Sequence, residues 1–268
     1  MTILVTGATG NVGRLVVDEL VRAGAPVRAL TTNPRKAALP KEVEVVTGYL
    51  GKVETVRPAL EGVERLYLAP LLDTVGEVVA LAREAGVRHI VDLSGERGGW
   101  WWPISEAVEA SGIPYTHLCP GEFMGNALMW AEQIRETGVV RDGYPTSANA
   151  PIDPRDIAAV AATALLEDGH CGQTYDLTGP ETLSRAEKVR LIGEALGGEI
   201  PYVEISHEEA VAQWSPSMGD FAQTYVEGMA ELTAHPQQAL STVEKVTGRP
   251  GIRFAQWAAE NVAEFSRT

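Results

Sequence analysis

Short apolar or β-branched runs recur along the first half of the chain, at Ile3–Thr6, Val27–Leu30, Val43–Thr47, Arg65–Ala69, His89–Leu93 and Tyr115–Cys119. Between them lie Asn11–Ala23, Lys52–Leu60, Thr74–Ala85 and Ile104–Ala110, where apolar residues return at helical spacing. In Asn11–Ala23, Val12, Val16, Val17, Leu20 and Val21 share one face, and Gly24 supplies a left-handed C-cap. Strands apolar on both faces and separated by helices predict a parallel sheet covered on both sides. The fold class is therefore α/β, a Rossmann-type doubly wound parallel sheet.

The pattern changes after Phe123. A long helix is predicted over Phe123–Thr137, followed by a Gly/Pro/Asn loop at Asp142–Pro151. A second helix, Pro154–Glu167, has Asp153 and Pro154 as start signals. A strand at Thr174–Leu177 precedes a mostly helical tail from Ser184. The expected organisation is a nucleotide-binding domain over residues 1–180. A smaller C-terminal substrate lobe, 181–268, packs on it and covers one side of a cleft at the carboxyl ends of the strands.

Charge narrows the function classes. With 22 Lys and Arg against 36 Asp and Glu, the net charge is −14, which opposes binding to a phosphate backbone, so no nucleic-acid partner is expected. The two cysteines, Cys119 and Cys171, have no metal-ligand spacing, and neither do His170, His207 and His235; no metal is expected. The sequence opens directly into a strand and no apolar run approaches ~20 residues, so the reading is a cytoplasmic protein with no membrane partner.

The strongest motif is VTGATGNVG. Gly7, Gly10 and Gly13 follow the first strand at the mouth of a helix, where glycines allow a tight turn, a close pyrophosphate and close helix–sheet packing. This GxxGxxG spacing, with VRALTTNPRKA, LYLAP, VRHIVDLSG, SGIPYTHLCPGEFMGN, PIDPRDIAAVAATAL and YDLTGPETLS in that order, resembles the NmrA-like family of atypical short-chain dehydrogenase/reductases. The resemblance implies a dinucleotide, NAD or NADP, held by Gly7, Thr9, Gly10, Asn11, Val12 and Gly13. It puts the adenosine end near Thr31, Thr32 and Asn33. The nicotinamide end falls near Ala69, Pro70, Ser94, Pro120, Gly121 and Phe123. Relatives often carry Arg where this chain has Thr32, and a neutral hydroxyl cannot pair with a 2′-phosphate as a guanidinium does. Arg35 and Lys36 lie close by, so the reading leans to NAD without discarding NADP. Tyr49, where the family tends to have Asp, can stack on or hydrogen-bond to the adenine, or simply pack.

No tyrosine in the chain is followed four residues later by lysine, so the usual proton-donating Tyr-x-x-x-Lys pair is missing from the sequence. By the resemblance, Trp102 and Gly98 stand where relatives keep acid/base groups, and Glu106 aligns with a common glutamate. Two candidates for catalysis remain: Ser94, at a strand end, and Glu122, which could serve as a base if burial raised its pKa. Each also has a plain reading, as a loop hydrogen bond and as a solvated side chain. His117 shares a strand face with Tyr115 and Cys119 and reads as packing before chemistry.

Trp100, Trp101 and Trp102, with Phe123 and Met124, make an aromatic and thioether wall suited to a small planar aromatic substrate. A homodimer contact competes for the same tryptophans. The expected function is an NAD(P)-dependent oxidoreductase acting on a quinone-like or polycyclic aromatic compound, such as a tailoring enzyme of aromatic polyketide biosynthesis. The alternatives are a non-catalytic NmrA-type redox sensor and an oxygenase-like tailoring enzyme, a monooxygenase on an anthracycline-type substrate.

Overall fold

The computed structural model describes residues 1–266. Its elements run β1 (Thr2–Val5), α1 (Gly13–Arg22), β2 (Val27–Thr31), β3 (Glu44–Thr47), β4 (Val63–Leu68), α2 (Val75–Glu84), β5 (His89–Leu93), α3 (Trp102–Ser111) and β6 (Tyr115–Pro120). There follow α4 (Ala131–Thr137), β7 (Val140–Asp142), β8 (Ala148–Asn149), α5 (Pro154–Leu166), β9 (Gln173–Leu177), β10 (Leu183–Ser184) and α6 (Arg185–Leu196). The remainder is β11 (Tyr202–Glu204), α7 (His207–Met218), α8 (Phe221–Ala234), α9 (Thr242–Thr247), α10 (Phe254–Glu260) and α11 (Val262–Phe265).

These elements form two compact units. The first comprises Met1–Gly121, Pro154–Leu177 and Thr242–Arg249; the second comprises Glu122–Asp153, Thr178–Ser241 and the chain from Pro250. This division differs from a single boundary at residue 180. The chain returns to the first unit twice, because β9 extends its sheet and α9 packs on α5.

The first unit is a parallel sheet in the order β3-β2-β1-β4-β5-β6-β9. The order reverses between β1 and β4, which opens the crevice where such sheets bind ligands. Helices α2 and α3 pack together over Leu4, Leu30, Leu66, Leu68 and Ile90. Strand side chains alternate, so Ile3 and Val5 point to the opposite face, where α1 packs with α5. Every residue of β5 is buried, as a strand covered on both faces must be.

The second unit is organised around the carboxylate of Asp142, which has no solvent exposure. It accepts from Trp130 Nε1 at 2.8 Å, Trp214 Nε1 at 3.1 Å and the Gly143 amide at 2.8 Å, and pairs with the Arg185 guanidinium. Such a charge is tolerable inside only with this degree of hydrogen bonding. Around it lie a core of Met124, Trp130, Ile134, Val140, Ile192, Phe254 and Trp257 and a smaller one of Ala210, Trp214, Val226 and Met229.

Two predicted helices are corrected. Over Lys52–Leu60 the chain makes two short 3-10 turns, Val53–Thr55 and Pro58–Leu60. Pro58 cannot continue an α-helix, and the Thr55 hydroxyl is turned back onto the Lys52 carbonyl at 2.6 Å. Over Phe123–Thr137, a 3-10 segment, Met124–Trp130, precedes α4. Gly125 and Asn126 are weak helix formers at its start.

His89, at the start of β5, is 4% exposed, and its Nε2 lies 2.9 Å from the Thr116 hydroxyl. That hydroxyl donates to the His170 carbonyl, so it accepts from the ring. Burial, then the Arg65 guanidinium and the neighbouring His170, pull the ring pKa down to about 4. The unfolded ring binds a proton near pH 6.5 and the folded ring does not until about pH 4, so stability falls as pH drops through that window. Thermal melts should show this fall, and His89→Gln should flatten it by roughly 5 °C, the shift that about 1–2 kcal/mol gives a chain of this size.

Candidate functional site

The glycine turn joins β1 to α1 at the crevice. Gly7 has φ +58°, a left-handed conformation, and a Cβ there would come within 2.8 Å of the Ala69 Cβ. A Cβ on Gly13 would lie 2.2 Å from the Gly7 carbonyl oxygen, and one on Gly10 would lie 3.2 Å from it. The turn is closed by the Gly10 amide donating to the Gly7 carbonyl at 2.9 Å. Helix α1 then starts with no side-chain cap; the Arg14 amide is met by the Gly10 carbonyl at 3.1 Å, and the positive end of the helix dipole faces the turn. A phosphate group fits that need, and only glycine leaves it room.

Beside the turn, at the carboxyl ends of β1, β2 and β4, lies a cavity of about 280 Å³. Gly7, Thr9, Thr31, Thr32, Tyr49, Ala69 and Pro70, all expected from sequence, line it together with Leu30, Gly48, Leu50 and Leu71. The Tyr49 ring forms an exposed wall, and a Cβ on Gly51 would meet it at 2.5 Å. The four further lining residues are strand ends and turn positions that only the sheet register brings to one place. Asn33 does not line the cavity. Its side chain accepts from the Lys36 amide at 3.3 Å and caps the turn Pro34–Lys36. Asn11, Val12, Gly10 and Gly13 belong to the turn and helix start rather than to the cavity lining.

Ser94 follows β5 and is 6% exposed. It accepts from the Ser105 hydroxyl of α3 at 2.8 Å and lies 3.8 Å from the Cys119 thiol. Ser105 also reaches Asp92 Oδ1 at 3.5 Å, while Asp92 Oδ2 lies 2.6 Å from His117 Nδ1. Asp92 and His117 are register partners on β5 and β6, and neither has any exposure. Burial lifts the Asp92 carboxyl above its usual range against the opposing effect of His117. The Cys119 thiol is pushed up to about 11, chiefly by burial, so it is a protonated apolar neighbour. Sequence periodicity could not distinguish this network from packing, because Asp92 and Ser105 each sit singly in an apolar pattern.

The tryptophans separate. Trp102 opens α3 and is 5% exposed, edge-on to His117 at 5.8 Å with the Arg97 guanidinium 4.4 Å over its ring. Trp101 is 43% and Trp100 79% exposed. Pro120 and Gly121 end β6, with the Gly121 amide donating to the Leu177 carbonyl at 2.9 Å.

Three expected site residues lie in the second unit. Met124 is buried in its core, so its thioether is committed to packing, as the ring of Trp102 is in the first unit. Phe123 forms a bridge with Ile152. Glu122 accepts from Lys188 Nζ at 2.8 Å and from the Asn149 amide. Burial opposes its ionisation, yet the Lys188 ammonium and the hydrogen bonds outweigh it and hold the carboxyl below its usual range. A base activated by burial would need the opposite direction, so the structure corrects that expectation. Among the described residues there is no cluster of metal ligands and no helix long and apolar enough to cross a membrane.

A sequence profile of NAD(P)H-binding proteins matches residues 7–97. The chain is 36% identical to a (4-alkanoyl-5-oxo-2,5-dihydrofuran-3-yl)methyl phosphate reductase of Streptomyces griseus subsp. griseus, over 98% of this chain and 99% of the relative. It is also 36% identical to an NAD(P)H azoreductase of Xenophilus azovorans, over 98% and 99% of the two chains. Among solved structures, an NADPH-dependent quinone oxidoreductase of Escherichia coli superposes with a TM-score of 0.84 at 26% identity, covering 97% of this chain and 99% of that one. The chain belongs to the NAD(P)H-binding, NmrA-like group of atypical short-chain dehydrogenase/reductases.

Gly13→Ala should weaken dinucleotide binding at least about tenfold by calorimetry, because the methyl group forces the Gly7 carbonyl out of the cradle. Trp102→Ala should lower stability in denaturant melts by about 3–5 kcal/mol, the cost of emptying a buried aromatic site. Trp100→Ala should stay within about 0.5 kcal/mol of the parent.

Proposed function

We propose that this member of the group is an NAD(P)H-dependent oxidoreductase whose acceptor is a small, planar, conjugated molecule, quinone-like or polycyclic aromatic. One observation carries the cofactor half of the reading: an uncapped helix behind a glycine turn that no side chain can enter, beside a cavity at the switch point of the sheet. The acceptor half is supported by the relatives, whose names specify a quinone, an azo compound and an unsaturated lactone phosphate. These acceptors share a flat, electron-poor π system.

Gly7, Gly10 and Gly13 and the start of α1 would hold the pyrophosphate. Thr31, Thr32, Tyr49 and Leu71 would hold the adenosine end. When bound, the dinucleotide supplies a nicotinamide able to donate a hydride. The cavity lining carries no basic side chain, which favours NAD over NADP, since a 2′-phosphate calls for a charged partner. An electron-poor acceptor needs less acid assistance than a simple ketone, so the missing Tyr-x-x-x-Lys pair is compatible with turnover. Trp100 and Trp101, exposed in the turn before α3, are proposed to contact the flat acceptor, and Ser94 to face it.

Oxidation of NADH and NADPH, followed by loss of the reduced nicotinamide's absorbance, with quinones, azo dyes and an unsaturated lactone phosphate tests this. Acceptor-dependent turnover with NADH preferred is expected. Tight dinucleotide binding without turnover across the panel would point instead to a redox sensor.

A further inference from the structure

The first unit contains a continuous buried polar path that the cofactor cradle does not explain. It begins at Ser94, just after β5 at the carboxyl edge of the sheet, and passes through Ser105 at 2.8 Å to Asp92 at 3.5 Å. From Asp92 it crosses to His117 Nδ1 at 2.6 Å, and His117 Nε2 lies 3.4 Å from Glu109 Oε1. Ser94 is 6% exposed, and Ser105, Asp92 and His117 have no exposure, whereas the Glu109 side chain is 36% exposed on α3. One end thus meets the edge where the sheet binds ligands and the other meets solvent. His117 Nε2 has no hydrogen-bond partner among the described residues, since Glu109 is within ion-pair reach but outside hydrogen-bond geometry. A buried, orphaned ring nitrogen aimed toward a half-exposed carboxylate is costly for a purely structural residue.

We propose that Glu109, His117, Asp92 and Ser105 form a proton relay ending at the Ser94 hydroxyl, which protonates the acceptor as it is reduced. The proposal rests on the oxidoreductase reading and supplies the acid that the sequence lacks. The acceptor gains a hydride with its electron pair from the reduced nicotinamide and a proton from Ser94 Oγ. Ser94 recovers its proton from Ser105, Ser105 from the Asp92 carboxyl, and Asp92 from His117 Nδ1. The ring is refilled at Nε2 from water through Glu109. The sum is one acceptor, one reduced dinucleotide and one solvent proton giving reduced acceptor and oxidised dinucleotide.

The surroundings suit proton transfer more than charge storage. Tyr115 stacks on the His117 ring at 4.2 Å, and the edge of Trp102 closes its other side. Cys119 on β6 stays protonated beside Ser94, with Asp176 of β9 in register with it. From β4, the Tyr67 hydroxyl is buried without a partner and feels the Asp92 charge. The remaining charges nearby are Glu96 and Arg97 in the turn before α3. Burial raises the Asp92 carboxyl, so it gives up a proton less readily than an exposed one.

Ser105→Ala breaks the path at one hydroxyl without removing a charge. In the protein without dinucleotide, the ring nitrogen resonances of His117 should move by NMR, since its partner Asp92 loses a hydrogen bond. With a quinone or azo acceptor, kcat should fall about tenfold or more, mostly on the alkaline limb of the pH profile, with dinucleotide affinity unchanged. Glu109→Gln, on the exposed end, should displace the same limb while leaving the melting temperature in place, and it decides the matter if Ser105→Ala does not fold. Wild-type turnover with neither variant altering the pH profile would overturn the relay alone. A moved His117 signal in a chain that reduces no acceptor would keep the connected network and overturn the oxidoreductase reading.

Discussion

The approach of Gly13 to the Gly7 carbonyl, too close for any Cβ between them, is the constraint from which the first unit is built. It sets α1 against the end of β1, and α1 in turn covers one face of the sheet with α5. The N-cap residue beside Gly13, Val12, has no side-chain acceptor, so the positive end of the helix is left to an anion. Folding and binding therefore share one requirement. A sequence without glycine at these positions would lose the packing of its first crossover and its phosphate cradle together.

Much of this was legible in the sequence because glycine spacing and apolar alternation are local signals. The first strand, the glycine turn and helix α1 follow from the apolar run before VTGATGNVG, that motif, and the apolar face of Asn11–Ala23, and β5 and β6 are found where HIVDL and YTHLC place them. Where the chain is governed by a single residue, the sequence misleads. Pro58 ends a pattern that otherwise reads as a helix, and Gly125 and Asn126 loosen another into a 3-10 segment. The division into units was not legible either, since the return of α9 to α5 depends on contacts between residues about 90 apart in the chain, such as Arg249 with Asp156 at 2.8 Å. At the site, Gly7, Thr9, Thr31, Thr32, Tyr49, Ala69 and Pro70 were legible from the glycine motif and the family resemblance, whereas Leu30, Gly48, Leu50 and Leu71 were not. The Asp92–His117–Ser105 path was not, because its members come from two strands and a helix, each alone in an apolar setting.

The buried carboxylates of the second unit and Asp92 of the first are handled differently. In the second, Asp142 is matched by Arg185 and two indole N–H groups, and Glu122 by Lys188 and Asn149. These are closed sets in which the charges are fixed, and each holds its elements in register at the cost of desolvation. In the first, Asp92 has no cationic side chain fixed beside it, only an imidazole and a serine, both able to pass a proton on. Asp156, also in the first unit, follows the ion-paired pattern with Arg249 at 2.8 Å, so the exception is the path through Asp92 and not the unit as a whole.

The distribution of tryptophans has an optical consequence. Trp130 and Trp214 donate to the same buried carboxylate in the second unit, while Trp100 and Trp101 stand in solvent on the first. An aqueous collisional quencher reaches the second pair and not the first. Intrinsic fluorescence therefore divides into a quenchable component that reports the loop before α3 and a shielded one to which Trp102 and Trp257 contribute beside the Asp142 pair, so that the loop can be watched against a buried background in a single cuvette.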